Sequence, residues 1–210
     1  MRIICQLPTD DWARTVARAK WAEEIGYDGV STSELAHDPF MPLALAGHAT
    51  QRVSLGTSIA VAFPRSPMIT ANIGWDLNAQ TGGRFELGLG SQVKGHNERR
   101  FSTPWVAPVA RLREYVQAIR AIWRCWENGE KLDFEGEHYR FTLMTPEFSP
   151  KKAGLPLPPI SLAAVGPDML RMSGRVADGV RRMMSRWECD APEIRQFEQN
   201  LAAYFRQNAR

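Results

Sequence analysis

The chain has 210 residues, of which 44% are hydrophobic and 23% charged, an ordinary composition for a globular protein with one core. The formal net charge is +3 and basic and acidic residues are mixed along the chain, so the sequence gives no support to nucleic-acid binding. Three cysteines stand far apart with no CxxC pair, which argues against a disulfide framework and against a cysteine-ligated metal.

The sequence shows no targeting or membrane-spanning segment. Its first apolar run is too short for a signal peptide, and two aspartates, Asp10 and Asp11, follow that run at once. No stretch approaches the roughly 18 uninterrupted apolar residues of a membrane span. We therefore expect a cytoplasmic protein without a membrane partner.

Short strand-like runs alternate with longer helical patterns along the chain. The predicted strands are residues 2–7, 28–34, 53–63, 84–91 and 160–165, with a sixth at 180–186. The predicted helices are residues 12–25, 41–50, 67–81, 107–128 and 167–179, and a last one that begins at Asp190 and carries Ile194, Phe197, Leu201 and Phe205. A hairpin (132–144) and a proline-rich connector (146–159) are interpreted as an insertion within a single domain, residues 1–210.

Strands that alternate with helices predict a parallel α/β sheet, either doubly wound or closed into a barrel. A nucleotide-binding domain of the first type would carry a glycine-rich turn after its first strand. Here Leu7-Pro8-Thr9 follows that strand instead. The pattern therefore favours a TIM-type (β/α) barrel.

The most specific segment is RFELGLGSQVKGHNERRFSTPW, residues 84–105, which follows a predicted strand and precedes a strongly amphipathic helix. It resembles the fourth strand and following loop of luciferase-like monooxygenases, in particular the branch that uses the deazaflavin coenzyme F420. Segments 32–40, 56–67 and 163–179 resemble the regions around the second, third and fifth strand ends of the same family. The resemblance covers residues 1–179 and implies a bacterial luciferase-like TIM-type (β/α) barrel.

The resemblance also implies a site at the carboxyl ends of the strands, where barrel enzymes carry their catalytic residues. The predicted catalytic residues are His96 and Glu34. The predicted cofactor-binding residues are His37, Ser58, Ile59, Gly88, Gly90, Ser91, Gln92, Arg100, Ala164, Val165 and Gly166. The bond between Ser58 and Ile59 is expected to be a cis peptide that backs the cofactor ring.

Each predicted contact has a stated chemistry and an ordinary structural alternative. Gly88 and Gly90 permit a flat ring to approach the backbone closely, or they serve tight packing. Gln92 is placed to hydrogen-bond the polar edge of the ring, and Arg100 to anchor an acidic cofactor tail. The turn at 164–166 precedes a helix, whose first amides can bind phosphate.

The implied reaction is hydride transfer between coenzyme F420 and a small organic substrate that the sequence does not identify. FMN is the alternative cofactor and would change the reaction to monooxygenation. A non-catalytic remnant or partner subunit is the alternative from another class. Relatives of this kind imply a homodimer.

The family pattern is lost after residue 179, and about six strand–helix units are present where a full barrel has eight. We therefore expect a barrel that is incomplete at its C-terminal end, with an atypical tail at 180–210. Arg181 and Arg182 fall where a buried strand is expected, and an isolated charge there is unfavourable. An open barrel is also expected to expose an apolar interior.

Overall fold

Parallel strands build the main sheet in the computed structural model, which describes residues 2–181. The strands are β1 (Ile4–Gln6), β2 (Gly29–Thr32), β3 (Ser54–Thr57), β4 (Ala60–Val61), β5 (Phe85–Gly90), β6 (Phe134–Glu135), β7 (Arg140–Phe141), β8 (Ile160–Ala163) and β9 (Gly179–Arg181). The order in the main sheet is β1-β2-β3-β5-β8-β9, and β4 also pairs with β5. The helices are α1 (Trp12–Glu24), α2 (Met41–Ala49), α3 (Pro67–Gln80), α4 (Lys94–Arg99), α5 (Pro108–Asn128) and α6 (Pro167–Val176). The predicted parallel α/β architecture is confirmed.

The helix ends follow from local sequence chemistry. The Asp11 carboxylate accepts the Arg14 amide at 3.0 Å, and the Ser66 hydroxyl accepts the Met68 amide at 3.2 Å, so each side chain satisfies a donor in a first turn. Gly26 and Gly129 follow α1 and α5 with positive φ, the backbone state that glycine adopts most easily. These are the helix ends that the sequence predicts.

Two local features differ from the predicted elements. The predicted strand 53–63 is interrupted, because a cis peptide between Ser58 and Ile59 separates β3 from β4. The cis bond itself is confirmed. Residues 94–99 form the short helix α4 where the sequence predicts a loop. This helix has only six residues, one of them Gly95, and so few residues cannot show the apolar spacing by which a helix is predicted.

The core lies between the sheet and its helices. Alternate strand residues face the helices and are buried, among them Cys5, Val30, Leu55, Leu87 and Leu162. The amphipathic helix α5 supplies the largest buried side chains, including Trp123, whose indole donates to the Ala71 carbonyl at 3.0 Å.

Antiparallel β6 and β7 form the predicted hairpin. Within the described part of the chain, no helix is both long and apolar enough to cross a membrane.

The opposite face of the sheet, here called the inner face, is small and polar, so the expectation of an apolar interior is wrong. The strand registers and the alternation of side chains place thirteen residues on it: Ile4, Gln6, Gly29, Ser31, Ser54, Gly56, Glu86, Gly88, Gly90, Ser161, Ala163, Gly179 and Arg181. Ile4 is the one large apolar side chain in this set. Bulky branched residues usually fill a TIM barrel, whereas glycine, serine and alanine make up most of this face.

Arg181 is not an isolated charge, which corrects the expectation for this position. Its guanidinium lies 2.6 Å from a Glu86 carboxylate oxygen and donates to the Ser161 hydroxyl at 2.6 Å. Both charged side chains remain 23% exposed, which further limits the cost of placing them on the inner face. Arg182, most of the predicted strand 180–186 and the predicted last helix lie outside the described residues.

Gly88 fixes how closely β3 and β5 approach. A Cβ at this position would lie 1.9 Å from the Thr57 carbonyl oxygen. We expect Gly88→Ala to lower the free energy of unfolding by about 2 kcal/mol or more, because the strands must separate. Gly179→Ala is the matched control, since its nearest neighbour would be the Ser161 Cβ at 3.6 Å. Urea unfolding of both variants checks this, and equal losses would contradict it.

Candidate functional site

Four segments that are distant in sequence meet where the parallel strands end. The Ser58 amide donates to the Thr32 carbonyl at 2.6 Å, and the Glu34 amide donates to the Ile59 carbonyl at 3.1 Å, which joins the ends of β2 and β3. The Ala62 amide donates to the Gly90 carbonyl at 2.9 Å, which adds the end of β5. β8 pairs with β5 alongside, and the turn 164–166 follows it. Glu34, Ser58, Ile59, Gly90 and the turn 164–166 therefore lie near one another at the carboxyl ends of the strands.

Glu34 is buried at these strand ends and holds the β3–β4 junction. Its Oε2 accepts the Val61 amide at 2.7 Å and the Arg65 guanidinium at 2.7 Å. Arg65 also lies 3.1 Å from Asp38. Burial alone would lower the pKa of Arg65, but the two carboxylates outweigh it and raise the pKa. The carboxylate of Glu34 thus positions backbone and Arg65, while its catalytic role stays a prediction.

A chain of hydrogen bonds on the inner face leads to the cis peptide. The Ser31 hydroxyl donates to Gln6 at 3.0 Å, the Gln6 amide donates to the Ser33 hydroxyl at 3.1 Å, and Ser33 donates to the Ser58 carbonyl at 2.7 Å. Every acceptor in this chain is oriented by its neighbour, so the Ser58 carbonyl has a fixed direction. Sequence reasoning missed Gln6, Ser33 and Arg65 as site residues, because single polar side chains near strand ends give no motif.

The two predicted glycines of β5 are explained by contacts within the protein. The space that a Gly88 side chain would need is taken by the Thr57 carbonyl. A Cβ on Gly90 would lie 2.8 Å from the Ile59 side chain and 3.3 Å from the Ala163 Cβ. Both glycines therefore allow tight packing within the protein, which is the alternative to close approach of a cofactor ring. Their contact with a cofactor stays a prediction.

The loop between β5 and α4 has an unusual backbone. Gln92 has a φ of 59°, in the left-handed region, and its side-chain oxygen accepts the Val93 amide at 3.0 Å. The fully buried Asn97 donates from Nδ2 to the carbonyls of Ser91 at 2.9 Å and of Val93 at 3.1 Å. Sequence reasoning missed Asn97, because it stands between the recognised residues His96 and Glu98 at a position the family pattern leaves open.

The remaining predicted residues lie exposed on α4, at its C-cap and on the loop after β2. His96 and Arg100 are exposed, and the Arg100 guanidinium donates to the Leu35 carbonyl, so α4 contacts the loop after β2. His37 lies exposed on that loop. Within residues 2–181 neither histidine side chain makes a hydrogen bond. Both imidazoles are therefore accessible to a ligand, but no contact fixes either one.

The turn after β8 is an exposed helix start. Ala164 is buried, Val165 is 73% exposed, and Gly166 is the N-cap of α6 without a side-chain cap. Uncapped amides at such a position are available to an anion. Pro167 carries no amide hydrogen, and the Asp168 carboxylate in the first turn adds negative charge. The turn can bind a phosphate, with fewer donors than a glycine-rich turn offers.

A separate cluster of Glu114, Glu137 and His138 has the composition of a metal site. In the described residues, one potential ligand atom from each lies within 4.8 Å of the others. However, the Glu114 carboxylate already accepts the amides of Glu137 at 3.2 Å and of His138 at 2.8 Å. These bonds anchor the β6–β7 hairpin to α5, which accounts for the cluster without a metal.

The fold defines an α/β protein of the TIM-barrel class, whose members carry their functional residues at the carboxyl ends of the strands. The sequence profile of the luciferase-like monooxygenases matches residues 4–210. The chain belongs to the luciferase-like monooxygenase family.

Two relatives illustrate the sequence similarity. The chain is 53% identical over 167 residues to an uncharacterised protein of Mycobacterium tuberculosis. The matched region covers 80% of this chain and 49% of that relative. It is 35% identical over 175 residues to the F420-dependent glucose-6-phosphate dehydrogenase of Intrasporangium calvum, covering 75% of this chain and 50% of that enzyme. The chain therefore spans about half the length of the curated relatives it matches.

Two solved structures illustrate the shared fold. A monooxygenase of Streptomyces bottropensis superposes with a TM-score of 0.79 at 23% identity, over 99% of this chain and 65% of that one. The oxygenating constituent of 3,6-diketocamphane monooxygenase from Pseudomonas putida, in complex with FMN, superposes with a TM-score of 0.75 at 14% identity, over 97% and 63%. At these identities the likeness concerns the fold, and it confirms the predicted luciferase-like barrel architecture.

The ion pair of Glu34 is expected to stabilise the site measurably. Glu34→Gln removes a negative charge from beside the partly buried Arg65, so we expect the free energy of unfolding to fall by about 1–3 kcal/mol. Glu98→Gln is the matched control, because Glu98 pairs with Lys94 at 4.0 Å on the exposed surface. Urea unfolding at neutral pH measures both, and a loss in E34Q no larger than in E98Q would contradict this role.

Proposed function

We propose that the strand-end site takes part in hydride transfer between coenzyme F420 and a small organic substrate. The observation that supports this most directly is the position of the 84–105 segment. Its strand end, its left-handed loop and α4 lie beside the β3–β4 junction and the turn after β8, as a shared cofactor site requires. The 35% identity to an F420-dependent enzyme supports the same choice of cofactor.

The residues present fit an extended anionic cofactor. The inner face carries small side chains near the carboxyl ends of β2 and β8, Ser31 and Ala163, over which a flat ring would fit. The uncapped start of α6 suits a phosphate. The exposed cations of α4, Lys94, Arg99 and Arg100, suit an acidic tail.

The roles follow from these positions. The backbone of Ser58 and Ile59 would support the ring, because the Ser33 hydrogen bond fixes this segment. The free Nε2 donors of Gln92 would face the ring's polar edge, and Arg100 would hold the acidic tail. His96, accessible on α4, would hold or accept a proton at an imidazole nitrogen during substrate oxidation or reduction. Bound F420 supplies the hydride acceptor or donor.

A binding titration tests the proposed cofactor. Oxidised F420 and FMN are added separately to the folded chain, and fluorescence follows the binding. We expect F420 to bind at least about tenfold more tightly than FMN. Tighter binding of FMN would move the proposal to a flavin-dependent monooxygenase, and absence of binding by the folded chain would contradict a working site.

Arg100 provides a matched test of the anionic end of that site. We expect Arg100→Gln to weaken F420 binding by about fivefold, and the loss to shrink at high salt, because the contact is largely electrostatic. Arg113→Gln removes an exposed arginine from α5 and serves as the control. The same fluorescence titration measures both variants, and an equal loss in R113Q would show a general charge effect instead.

We also propose that the chain forms a homodimer through α2 and α3. The exposed face of α2 carries Met41 and Ala44, and the exposed face of α3 carries Ile69 next to the polar residues Asn72 and Asp76. Met41 is 58% exposed and lines a groove of about 660 Å³ together with Phe40, Ala44 and Leu77, and with the polar residues Asp38, His48 and Asp76. Ile69 is 53% exposed on α3. A second copy of the same surface would cover these side chains.

Charged substitutions at this surface test the dimer. We expect the native chain to elute as a dimer, and Ile69→Glu to shift it to a monomer, because the carboxylate would be buried at the interface. Leu143→Glu is the control, as Leu143 is 79% exposed on the hairpin side of the chain. Size exclusion with light scattering reads the mass. A native monomer, or an I69E dimer, would contradict the proposed interface.

A further inference from the structure

We propose that Asn97 is a positioning residue, which holds the loop of Ser91, Gln92 and Val93 in the one backbone conformation that presents Gln92 to the cofactor. The inference deepens the proposed function, on which its functional part rests. Its structural part concerns the chain alone and is tested separately.

The buried amide of Asn97 clamps this loop from both sides. Its Nδ2 donates to the Ser91 carbonyl at 2.9 Å and to the Val93 carbonyl at 3.1 Å, the two residues that flank Gln92. Its backbone carbonyl accepts the Thr103 amide at 2.8 Å, and its backbone amide donates to Val93 at 3.2 Å. Asn97 is 0% exposed, so no water competes for these bonds. One residue thus connects the end of β5, the start of α4 and the segment after α4.

The loop needs such a clamp because Gln92 adopts a disfavoured backbone state. A left-handed φ of 59° is unusual for a residue that is not glycine, asparagine or aspartate. Surroundings must impose the state, and two donors on the carbonyls either side of Gln92 do so directly. The same geometry orients the Gln92 side chain, whose oxygen is held by the Val93 amide while its Nε2 keeps its donors.

Only an amide of this length meets the requirement. The opposite orientation of the amide would set its oxygen against two carbonyl oxygens, so the donor side is assigned by its neighbours. The Asn97 Oδ1 atom is buried and has no hydrogen-bond partner among the described residues. The surroundings of Asn97 therefore use the two Nδ2 donors and leave the Oδ1 acceptor unused. An aspartate would place a negative oxygen where the donors are, and a serine would not reach both carbonyls.

The first experiment measures the loop without any cofactor. Hydrogen–deuterium exchange of a peptide that spans 91–99 is compared in the native chain, Asn97→Asp and Asn97→Ser. We expect exchange to rise about tenfold in N97D and to a smaller extent in N97S. Asn128→Asp is the matched control, because Asn128 is exposed and its amide bonds only Glu130, at 2.8 Å. Unchanged exchange in folded N97D and N97S would overturn the proposal.

A double-mutant cycle separates positioning from simple packing. Gln92→Gly removes the penalty of the left-handed conformation, so N97D should raise exchange by less than about threefold in the Q92G background. A packing role for Asn97 would give the same increase in both backgrounds, and that result would overturn the proposal. Should N97D not fold, the cycle is run with N97S.

The functional part is read by F420 titration of the same variants. We expect N97D to weaken F420 binding about tenfold relative to N128D. If the native chain does not bind F420, the proposed function fails while the exchange cycle still decides the role of Asn97. If F420 binds N97D as tightly as the native chain although the loop exchanges faster, the positioning role is overturned and the proposed function stands.

Discussion

The buried carboxylate of Glu34 is the contact on which the arrangement of the strand ends depends. It accepts the Val61 amide and the Arg65 guanidinium, and so ties the end of β2 to the segment that follows the cis peptide. Without this acceptor, β4 would lose the bond that directs it toward β5, where Ala60 and Val61 pair with Leu89 and Gly90. The Glu34 carboxylate therefore stabilises the break between β3 and β4, in addition to the hydrogen bonds of the sheet.

The second constraint is the inner face of the sheet. Its glycines and serines let β3 and β5 approach until the Thr57 carbonyl fills the place of a Gly88 side chain. Arg181 pairs in register with Ala163 at the end of β8, and its guanidinium reaches back along the inner face to neutralise Glu86. The helix side of the sheet is thus packed with large apolar side chains, while the inner side carries mostly small and polar ones.

The sequence predicted the order of strands and helices, because each element buries one face in the core and so spaces its apolar residues with the period of a strand or a helix. It predicted the cis bond at Ser58–Ile59 and the site segments only through the family resemblance. It did not predict α4, the inner-face polarity or the pairing of Arg181, since these depend on which strands become neighbours. Gln6, Arg65 and Asn97 were missed for a related reason. Each acts through one or two hydrogen bonds that exist only in the folded chain.

We propose that one cofactor contacts the ends of β3, β5 and β8 at once. Hydrogen exchange of the chain with and without F420 tests it most directly, because it maps contacts without requiring a substrate. With F420 bound, we expect slower exchange in three separate regions, residues 58–62, 91–100 and 164–170, and no change in α2 and α3. Protection confined to one region, or to the helices on the opposite face of the sheet, would contradict it.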